Sequence, residues 1–315
     1  MPKQTSLSTP ISVVINTKNA AATIEKAIES VKSWADEIII VDMKSTDETT
    51  KIAKKLGAKV VAYDKDHKYA DPARNFANDQ AKNNWVVVLD ADEIIPVTLA
   101  EWIQLTLSEP AAAEVSCYWL PRQNYIFGQW VEHSGWWPDH QPRLFQKGTV
   151  TWHDGVHKMP TVKGTSVQVS ALPELSIKHQ NYTSVSEFIE KLNRYTDLKA
   201  EEVSSVPVQP GADQVMLTFF SEFQRRFFLQ QGIKDGTVGA GLSLLQAMYE
   251  LTVELKRREK LGQLVDANPE SQQDMLMKQL KVAQRQLQYW IANDEVSKSS
   301  GGRKVWWQIR RKLHI

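Results

Sequence analysis

The stretch WVVVLDADE at residues 85–93 determines how the rest of this chain is interpreted. Its run of apolar, mostly β-branched residues is too short for a helix and is typical of a strand buried on both faces of a parallel sheet. The strand ends in carboxylates, at the edge where open α/β sheets bind ligands. Asp90 and Asp92 lie two positions apart, so their side chains should leave the strand end on the same side.

The carboxylates of this stretch have two interpretations. As hard oxygen ligands, Asp90 and Asp92 can hold Mg²⁺ or Mn²⁺, cations that bridge the phosphates of a nucleotide. Alternatively, the acidic cluster stabilises the start of the helix expected after Pro96, since Asp and Glu are common near helix starts. The motif alone leaves both open.

The composition narrows the class of protein. The chain has 315 residues, of which 42% are hydrophobic and 24% charged, as in soluble globular proteins. A net charge of +1 gives no global attraction to nucleic acid, and a single cysteine, Cys117, excludes an intrachain disulfide and fits a reducing compartment. The first ten residues lack a signal-peptide core, and no apolar run reaches membrane-spanning length. We therefore expect a cytoplasmic protein that contacts at most a membrane surface.

Strand and helix patterns alternate through the first hundred residues or so. Such alternation predicts βαβ units and a mostly parallel sheet. The turn after Ile15 contains no glycine, which argues strongly against NAD or FAD bound in the usual Rossmann manner. The predicted strands are residues 11–15, 37–42 and 59–63, and the predicted helices are residues 22–34, a helix capped at 46–49 that ends at Leu56, and residues 71–84.

From about residue 118 to residue 175 the pattern changes to short strands, aromatic residues and turns. Trp136 and Trp137 lie in its densest part, GQWVEHSGWWPDHQPRLF at residues 128–145. Aromatic rings beside carboxylates often line sugar sites, where the apolar face of the sugar stacks on a tryptophan. The alternative is a small satellite core that contains both tryptophans. The sequence leaves both interpretations open.

After residue 180 the sequence is typical of helices. Ser184 and Glu187 form a capping box for a helix to about residue 203, and apolar helical patterns follow at 215–231 and 237–256. The first of these patterns is rich in phenylalanine and carries arginines, a composition that suits a membrane surface. A helical hairpin packed on the domain is the alternative, and we favour packing with a membrane-facing edge.

The C-terminal part contains three weaker patterns. Residues 270–291 have apolar positions at helical spacing, which predicts a short coiled coil or a helix docked on the body. Residues 297–302 have the composition of a flexible linker. The tail 303–315 is either an interfacial anchor for anionic lipid or a disordered basic end. Its predicted apolar helical face consists of Val305, Trp306, Ile309 and Leu313.

Four ordered blocks of this chain form a recognisable pattern: ISVVINTKN at 11–19, IVDMKSTDET at 40–49, ARN at 73–75 and LDADE at 89–93. Together they resemble inverting family 2 glycosyltransferases of the GT-A fold. Two later blocks, WPDHQPRLF at 137–145 and VH at 156–157, resemble the bacterial lipopolysaccharide core β-1,4-glucosyltransferase subgroup. The resemblance covers about residues 10–255 and implies a Rossmann-like, mostly parallel α/β core followed by a helical C-terminal region.

This resemblance implies roles in binding a UDP-sugar donor. Thr17 and Asn19 are expected in the first nucleotide loop, and Asp42 is expected at the uracil or the ribose. Arg74 is expected near the base or the diphosphate, and Asp90 near the ribose and the metal shell.

The chain departs from the family pattern at two places near the expected nucleotide site. Met43 and Lys44 replace the usual Ser-Gly, and alanines replace the glutamate that commonly follows Asn19. Because both departures lie near the expected donor, they bear on donor identity more than on the fold.

The resemblance also implies a catalytic centre. Asp139 is expected to be the catalytic base and Asp92 the direct ligand of Mg²⁺ or Mn²⁺. His157 completes the metal or diphosphate contacts, and Arg143 positions the phosphates or the acceptor. The chemistry agrees: a cation stabilises charge on the leaving diphosphate, and a carboxylate takes the proton of the attacking hydroxyl. One base without a carboxylate nucleophile gives inversion.

These features predict a metal-dependent inverting transferase that moves a hexose, glucose in the first instance, from a UDP-sugar to a lipid-linked saccharide such as lipopolysaccharide inner core. Trp136 and Trp137 are expected to bind the acceptor, and the protein is expected at the inner face of the cytoplasmic membrane. The expected layout is a catalytic domain at 10–180, divided at about residue 100 into donor and acceptor halves, a helical region at 181–260, and a C-terminal helix with its tail at 261–315.

Three rival hypotheses remain. The first is a transferase that acts on a polyprenyl-phosphate or a soluble glycan. The second is a protein that binds a nucleotide sugar without turnover, against which the intact Asp92, Asp139 and Arg143 argue. The third is a nucleic-acid-binding protein, for which the sequence contains no base-reading motif.

Overall fold

The computed structural model describes residues 9–65, 71–153, 158–204, 211–265 and 269–313. The chain divides into two compact units. The first unit contains the described residues up to Glu132 together with Trp136–Val185, and the second contains His133–Gly135 together with the described residues from Ser186 onward.

Strands and helices alternate in the amino-terminal part of the first unit, as predicted. The first predicted helix is shorter than expected, because α-helical structure ends at Glu29 and the chain continues to Trp34 in turns. The elements are β1 (Ile11–Thr17), α1 (Ile24–Glu29), β2 (Glu37–Asp42), α2 (Thr49–Lys55), β3 (Lys59–Ala62), α3 (Asp71–Asp79), β4 (Trp85–Asp90), β5 (Glu93–Ile94) and α4 (Val97–Ser108).

The rest of the first unit consists of short strands, again as predicted. A 3₁₀ turn at Pro110–Glu114 precedes them, and another at Pro173–Leu175 interrupts them. The strands are β6 (Cys117–Leu120), β7 (Arg122–Ile126), β8 (Gln129–Trp130), β9 (Gln141–Gln146), β10 (Val150–Thr151), β11 (Thr161–Val162), β12 (Ser166–Gln168) and β13 (Ile177–Tyr182).

The central sheet has seven strands in the order β12-β6-β9-β4-β1-β2-β3. Strands β4, β1, β2 and β3 are mutually parallel, and β9 runs antiparallel to both β4 and β6. A separate four-stranded sheet has the order β5-β13-β7-β8. The predicted α/β fold with a mostly parallel core sheet is thus confirmed.

Strand β4 is buried on both faces, as its composition predicts. Val87 and Leu89 belong to one apolar cluster, with residues of α1 and α4, whereas Val86 and Val88 belong to another, with residues of α3. Side chains alternate across a strand, so each face of β4 contacts a different helical layer. Full burial of each valine contributes about 1.5–3 kcal/mol relative to an exposed position. This burial is the physical reason why the central strand is apolar up to its last residue.

The second unit is helical. Phe228 stacks on Trp290 with ring centroids 5.9 Å apart, and the phenylalanine-rich segment packs against the two long helices that follow it. None of the helices in the described part of the chain is both long and apolar enough to cross a membrane. The helices are α5 (Val185–Glu202), α6 (Ala212–Gln224) with a π-helical extension (Arg225–Leu229), a 3₁₀ turn (Gly232–Asp235), α7 (Gly236–Lys260), α8 (Pro269–Lys298) and α9 (Gly301–Leu313).

The predicted flexible linker at 297–302 is wrong. Helix α8 extends to Lys298 and α9 starts at Gly301, which leaves two residues between them. Gly301 has a φ of 56°, a left-handed conformation that glycine adopts at little cost, so the chain turns sharply there. Arg311 on α9 donates a hydrogen bond to Asn293 on α8 (2.8 Å), so the two helices pack together, and the alternative of a disordered tail is wrong as well.

Candidate active site

Three parallel strands end together at one edge of the central sheet. In the register, Thr17 on β1 is opposite Asp42 on β2, and Asn16 on β1 is opposite Asp90 on β4. Thr17 and Asp42 are buried, and Asp90 keeps part of its carboxylate exposed. The carboxyl edge therefore brings together three of the residues predicted to bind the donor. It is the edge at which open α/β sheets bind ligands.

The loops after β1 and β2 are linked by side-chain hydrogen bonds. The backbone N–H of Thr46 donates to the Asn19 amide oxygen (2.8 Å), and the backbone N–H of Asn19 donates to the Ser45 hydroxyl (2.9 Å). Within the second loop, the backbone N–H of Ser45 donates to the Asp42 carboxylate. Lys44, at one of the departures from the family pattern, has a φ of 61°. This is the left-handed region that glycine adopts most easily, so the backbone tolerates lysine at some conformational cost. The predicted nucleotide loop thus has a defined conformation.

Behind the edge, two arginines bind Asp90. Arg74 donates to one carboxylate oxygen (2.6 Å) and Arg143 to the other (2.5 Å). Arg143 also donates to the fully buried Glu93 (2.7 Å), which accepts a further bond from Arg122 (2.9 Å). Burial would raise the pKa of Asp90, but the positive charges of the three arginines hold it well below its usual range. Asp90 is therefore an ionised, paired carboxylate rather than one open to a cation.

The predicted base, Asp139, lies in a dense set of hydrogen-bond donors. Arg122 donates to Oδ2 through Nε (2.9 Å) and Nη2 (2.5 Å), and Asn124 donates to the same oxygen (3.1 Å). Gln141 donates to Oδ1 (2.7 Å). Burial would raise the pKa of Asp139, but the Arg122 charge and these hydrogen bonds outweigh it and lower the pKa. The carboxylate is thus ionised at neutral pH, as a general base must be before it accepts a proton.

Asp92 differs from Asp90 in its surroundings. Its carboxylate is 33% exposed and its neighbour is a histidine, with Nε2 of His179 3.6 Å from Oδ1. Strand β13 brings this histidine into place by pairing antiparallel with β5, where His179 is opposite Glu93. His179 was not predicted as a site residue, because only the pairing of two distant strands brings it near the acidic motif.

The Asp92–His179 pair fits a divalent cation. Nδ1 of His179 lies 2.7 Å from the Asn124 amide oxygen, which can only accept a hydrogen bond. Nδ1 therefore carries a ring proton, so that in the neutral form of the ring the lone pair is on Nε2, the nitrogen that faces Asp92. An oxygen and a nitrogen ligand thus face the same space. Within the described ranges no group of three potential metal ligands occurs, and the predicted ligand His157 lies outside those ranges.

The two predicted acceptor tryptophans are half-buried in an aromatic cluster. Trp137 meets Trp130 edge to face at 5.4 Å, and Trp136 meets Tyr182 in the same way at 6.4 Å. The Trp136 carbonyl also accepts a hydrogen bond from Asn124 (2.9 Å), the same amide that binds Asp139. The rings are therefore partly a small core, as the alternative interpretation holds, and keep exposed surface beside the candidate base.

Arg122 and Asn124 were not predicted from the sequence. They lie two positions apart on β7, so both project from the same face of the strand. The available signal was the polar run Arg-Gln-Asn at the start of a strand that continues with Tyr and Ile. It did not reveal the partner, because Asp139 follows a separate strand and is joined to β7 only by tertiary structure.

Replacing Arg122 with methionine is expected to destabilise the fold by about 3–5 kcal/mol at neutral pH, since it leaves the fully buried carboxylate of Glu93 and the partly buried one of Asp139 without this partner. In the wild type the pKa of Asp139 is lower in the folded protein than in the unfolded protein, where it is about 4. This difference stabilises the fold above about pH 4, and the stabilisation is lost as the pH falls through the pKa of the folded state. In the variant the pKa of Asp139 should rise. The destabilisation should therefore be largest at pH 7 and shrink toward pH 4.

Urea unfolding of both proteins across this pH range would measure the effect. Lys51→Met, which removes the exposed partner of Glu48, is a suitable control and should leave the unfolding curve nearly unchanged. A destabilisation by Arg122→Met that did not vary with pH would show that packing, rather than charge pairing, explains the effect.

Comparison with known proteins identifies the family. Residues 12–167 match the family described as Glycosyl transferase family 2. An uncharacterized glycosyltransferase of Rickettsia conorii is 43% identical over 272 residues, which cover 81% of this chain and 92% of that protein. Another, of Rickettsia bellii, is 30% identical over 271 residues, covering 80% of this chain and 87% of that protein.

Among solved structures, glucosyl-3-phosphoglycerate synthase from Mycobacterium tuberculosis in complex with Mn²⁺ and UDP-glucose is 26% identical over 36% of this chain and 43% of that chain. The TM-score between the two chains is 0.32. The family assignment rests on the matched residues, the two relatives and the parallel sheet with its acidic carboxyl edge. The chain belongs to glycosyl transferase family 2, and its α/β core has the GT-A fold.

Proposed function

We propose that this chain transfers a hexose, glucose in the first instance, from a UDP-sugar to a lipid-linked saccharide with inversion at the anomeric carbon. One observation carries the proposal. Asn124 hydrogen-bonds both to the ionised Asp139 and to His179, and His179 in turn faces Asp92. One group suits proton removal and the other suits a cation, and both are needed when a sugar leaves a nucleotide diphosphate.

Asp92 and His179 would hold Mg²⁺ or Mn²⁺, with His157 as a further proposed ligand. When bound, the cation supplies charge neutralisation for the departing diphosphate. Arg74 and Arg143, which bind Asp90, lie on the side of the site where we place the donor phosphates. Thr17, Asn19 and Asp42 would bind the uridine. These assignments use the residues predicted for the donor and add His179.

In the proposed reaction the acceptor hydroxyl attacks the anomeric carbon as the bond to the diphosphate oxygen breaks. The hydroxyl proton passes to Asp139, whose ionised carboxylate accepts it. No second carboxylate is required as a nucleophile, so a single displacement inverts the anomeric centre. Trp136 and Trp137 would stack on the acceptor saccharide. A soluble glycan or a polyprenyl-phosphate acceptor remains the alternative within this reaction class.

A panel of UDP-hexoses with Mn²⁺ or Mg²⁺ would test the reaction by following UDP release with and without lipopolysaccharide-type acceptors. We expect metal-dependent release from one sugar, UDP-glucose by our proposal, which increases when the acceptor is added. Donor binding without release under any condition would instead favour the nucleotide-sugar-binding protein without turnover. Transfer to soluble sugars but not to lipid-linked ones would favour the soluble-glycan alternative.

We further propose that α9 lies on the inner surface of the cytoplasmic membrane, next to a lipid-linked acceptor. Four apolar residues on one side of this helix are each 50–59% exposed, and the helix carries five basic residues and no acidic one. This combination is typical of helices that insert an apolar face between anionic headgroups. The apolar residues are Val305, Trp306, Ile309 and Leu313, and the basic residues are Arg303, Lys304, Arg310, Arg311 and Lys312.

Sedimentation with vesicles would test this membrane proposal. We expect binding to phosphatidylglycerol-containing vesicles that weakens with added salt, and little binding to phosphatidylcholine alone. The double change Trp306→Glu and Ile309→Glu should lower the partition coefficient at least about tenfold, since it places charge in the apolar face. Gln308→Glu, on the more covered side of the helix, adds one negative charge outside the apolar face and should lower the partition coefficient much less. Equal binding to neutral vesicles, or no binding, would contradict the proposal.

A further inference from the structure

Asn124 joins two parts of the site. Its side chain is fully buried. The amide nitrogen donates to Asp139 Oδ2 (3.1 Å) and to the Trp136 carbonyl (2.9 Å). The amide oxygen lies 2.7 Å from His179 Nδ1 and accepts from Asn181 Nδ2 (3.2 Å). A primary amide has two N–H donors and an oxygen with two lone pairs, so every hydrogen-bonding position of Asn124 is used.

The direction of this amide is determined by its partners. If the oxygen and nitrogen were exchanged, the oxygen would face the Asp139 carboxylate and the Trp136 carbonyl, both of which can only accept. Since a buried polar group without a partner costs about 1–3 kcal/mol, the exchanged orientation is disfavoured. The amide oxygen therefore faces His179 and selects the tautomer with the proton on Nδ1. Nε2 is left to face Asp92.

We propose that Asn124 is a positioning residue for the transfer reaction, which holds the His179 ring toward Asp92 with its amide oxygen and holds the Asp139 carboxylate with its amide nitrogen. The inference rests on the proposed function, because it concerns the same cation and the same base. One buried amide would then fix the position of the histidine that would hold the cation relative to the base that activates the attacking hydroxyl. Such alignment is a large part of what an enzyme contributes to a two-reactant step.

Two substitutions separate the two contacts. Asn124→Asp keeps an oxygen toward His179 but loses the N–H donors toward Asp139, whereas Asn124→Ser is too short to reach either side. The probe is Mn²⁺ binding in the presence of UDP and without acceptor, followed by the paramagnetic resonance of free Mn²⁺. We expect Asn124→Ser to weaken Mn²⁺ binding by about 10–100-fold, the usual effect of removing the partner of a ligating histidine. Asn124→Asp should keep Mn²⁺ affinity within about threefold, while kcat falls in both variants.

A double-substitution cycle with His179→Ala tests the route of the effect. If Asn124 acts through the histidine, Asn124→Ser should cause no further loss of Mn²⁺ affinity once His179 is alanine. Gln123→Ala is the matched control. It removes a neighbouring buried amide that projects from the opposite face of β7, and it should change neither Mn²⁺ affinity nor kcat. If Asn124→Ser does not fold, Asn124→Asp still tests the contact to Asp139 through kcat, and Asn124→Leu, which is close in size but has no hydrogen-bonding group, takes its place in the test of Mn²⁺ binding.

Three results would overturn the inference. An additive loss in the His179→Ala background, or wild-type Mn²⁺ affinity in Asn124→Ser, would show that the amide does not position the ligand. Wild-type kcat in Asn124→Asp would show that it does not position the base. In all three cases the proposed function survives if wild-type protein binds Mn²⁺ with UDP and transfers sugar. Absence of Mn²⁺ binding to the wild type would instead overturn the proposed cation site, and this inference with it.

Discussion

Replacing Asp139 with asparagine is expected to lower kcat for sugar transfer by about 10²–10⁴-fold, the range by which a positioned general base accelerates a reaction. An amide of the same shape can occupy the site but cannot take the proton of the acceptor hydroxyl. Donor affinity should change little, because Thr17 and Asp42, which are predicted to bind the uridine, lie at the ends of β1 and β2. Product formation under saturating donor and acceptor, together with UDP binding by calorimetry, would measure both quantities.

The matched control for this experiment is Glu37→Gln. Glu37 is also a largely buried carboxylate that accepts hydrogen bonds, from Ser12 and the backbone of Lys82, but it lies at the amino end of β2. Its substitution should affect stability and leave kcat unchanged. Because the pKa of Asp139 is held below its usual range, this carboxylate should stay ionised as the pH falls below neutrality, so its protonation should not be the step that first limits activity there. Retention of most of kcat in Asp139→Asn would show that another group is the base.

Replacing Asp92 with alanine is expected to remove metal-dependent activity, with a loss of at least about 10²-fold in kcat/KM at a fixed Mn²⁺ concentration. The reason is geometric: Asp92 is the partly exposed carboxylate of the motif, and His179 Nε2 faces it at 3.6 Å. Mn²⁺ binding without acceptor should weaken in parallel, so the effect can be measured apart from turnover.

Asp90→Asn provides an informative comparison with Asp92→Ala. Asp90 is bound by Arg74 and Arg143, so its substitution should mainly lower stability by leaving two largely buried arginines without their partner. Asp79→Ala, at an exposed carboxylate at the end of α3, is the control that should change neither property. If Asp90→Asn weakened Mn²⁺ binding as much as Asp92→Ala, the division of roles between the two carboxylates would be wrong.

Much of the fold could be predicted from local patterns. The alternation of short apolar runs with helical periodicity predicted β1 to β4 and their helices, because a strand buried on both faces must be apolar throughout. The helices α5 and α7 were predicted from a capping box and from apolar spacing. The linker at 297–302 was predicted wrongly, since its composition does not reveal that α9 packs back on α8.

The candidate site was predictable only in part. Asp90, Asp92 and Asp42 follow apolar strands directly, so their place at the carboxyl edge is a consequence of local sequence. Asp139 was assigned by resemblance to the family, and its role stays a proposal. Arg122, Asn124 and His179 left no comparable signal, because each lies in a short strand whose partner cannot be read from its own residues.

The sequence by itself determined the α/β class, the acidic end of the central strand and the helical C-terminal region, because these follow from burial and from the periodicity of each segment alone. Only the tertiary structure decided which side chains meet at that acidic end. The pairing of β13 with β5 and β7 brings His179 to Asp92 and Asn124 to His179. Strand pairing depends on register and on burial across a whole sheet, so no single segment encodes it.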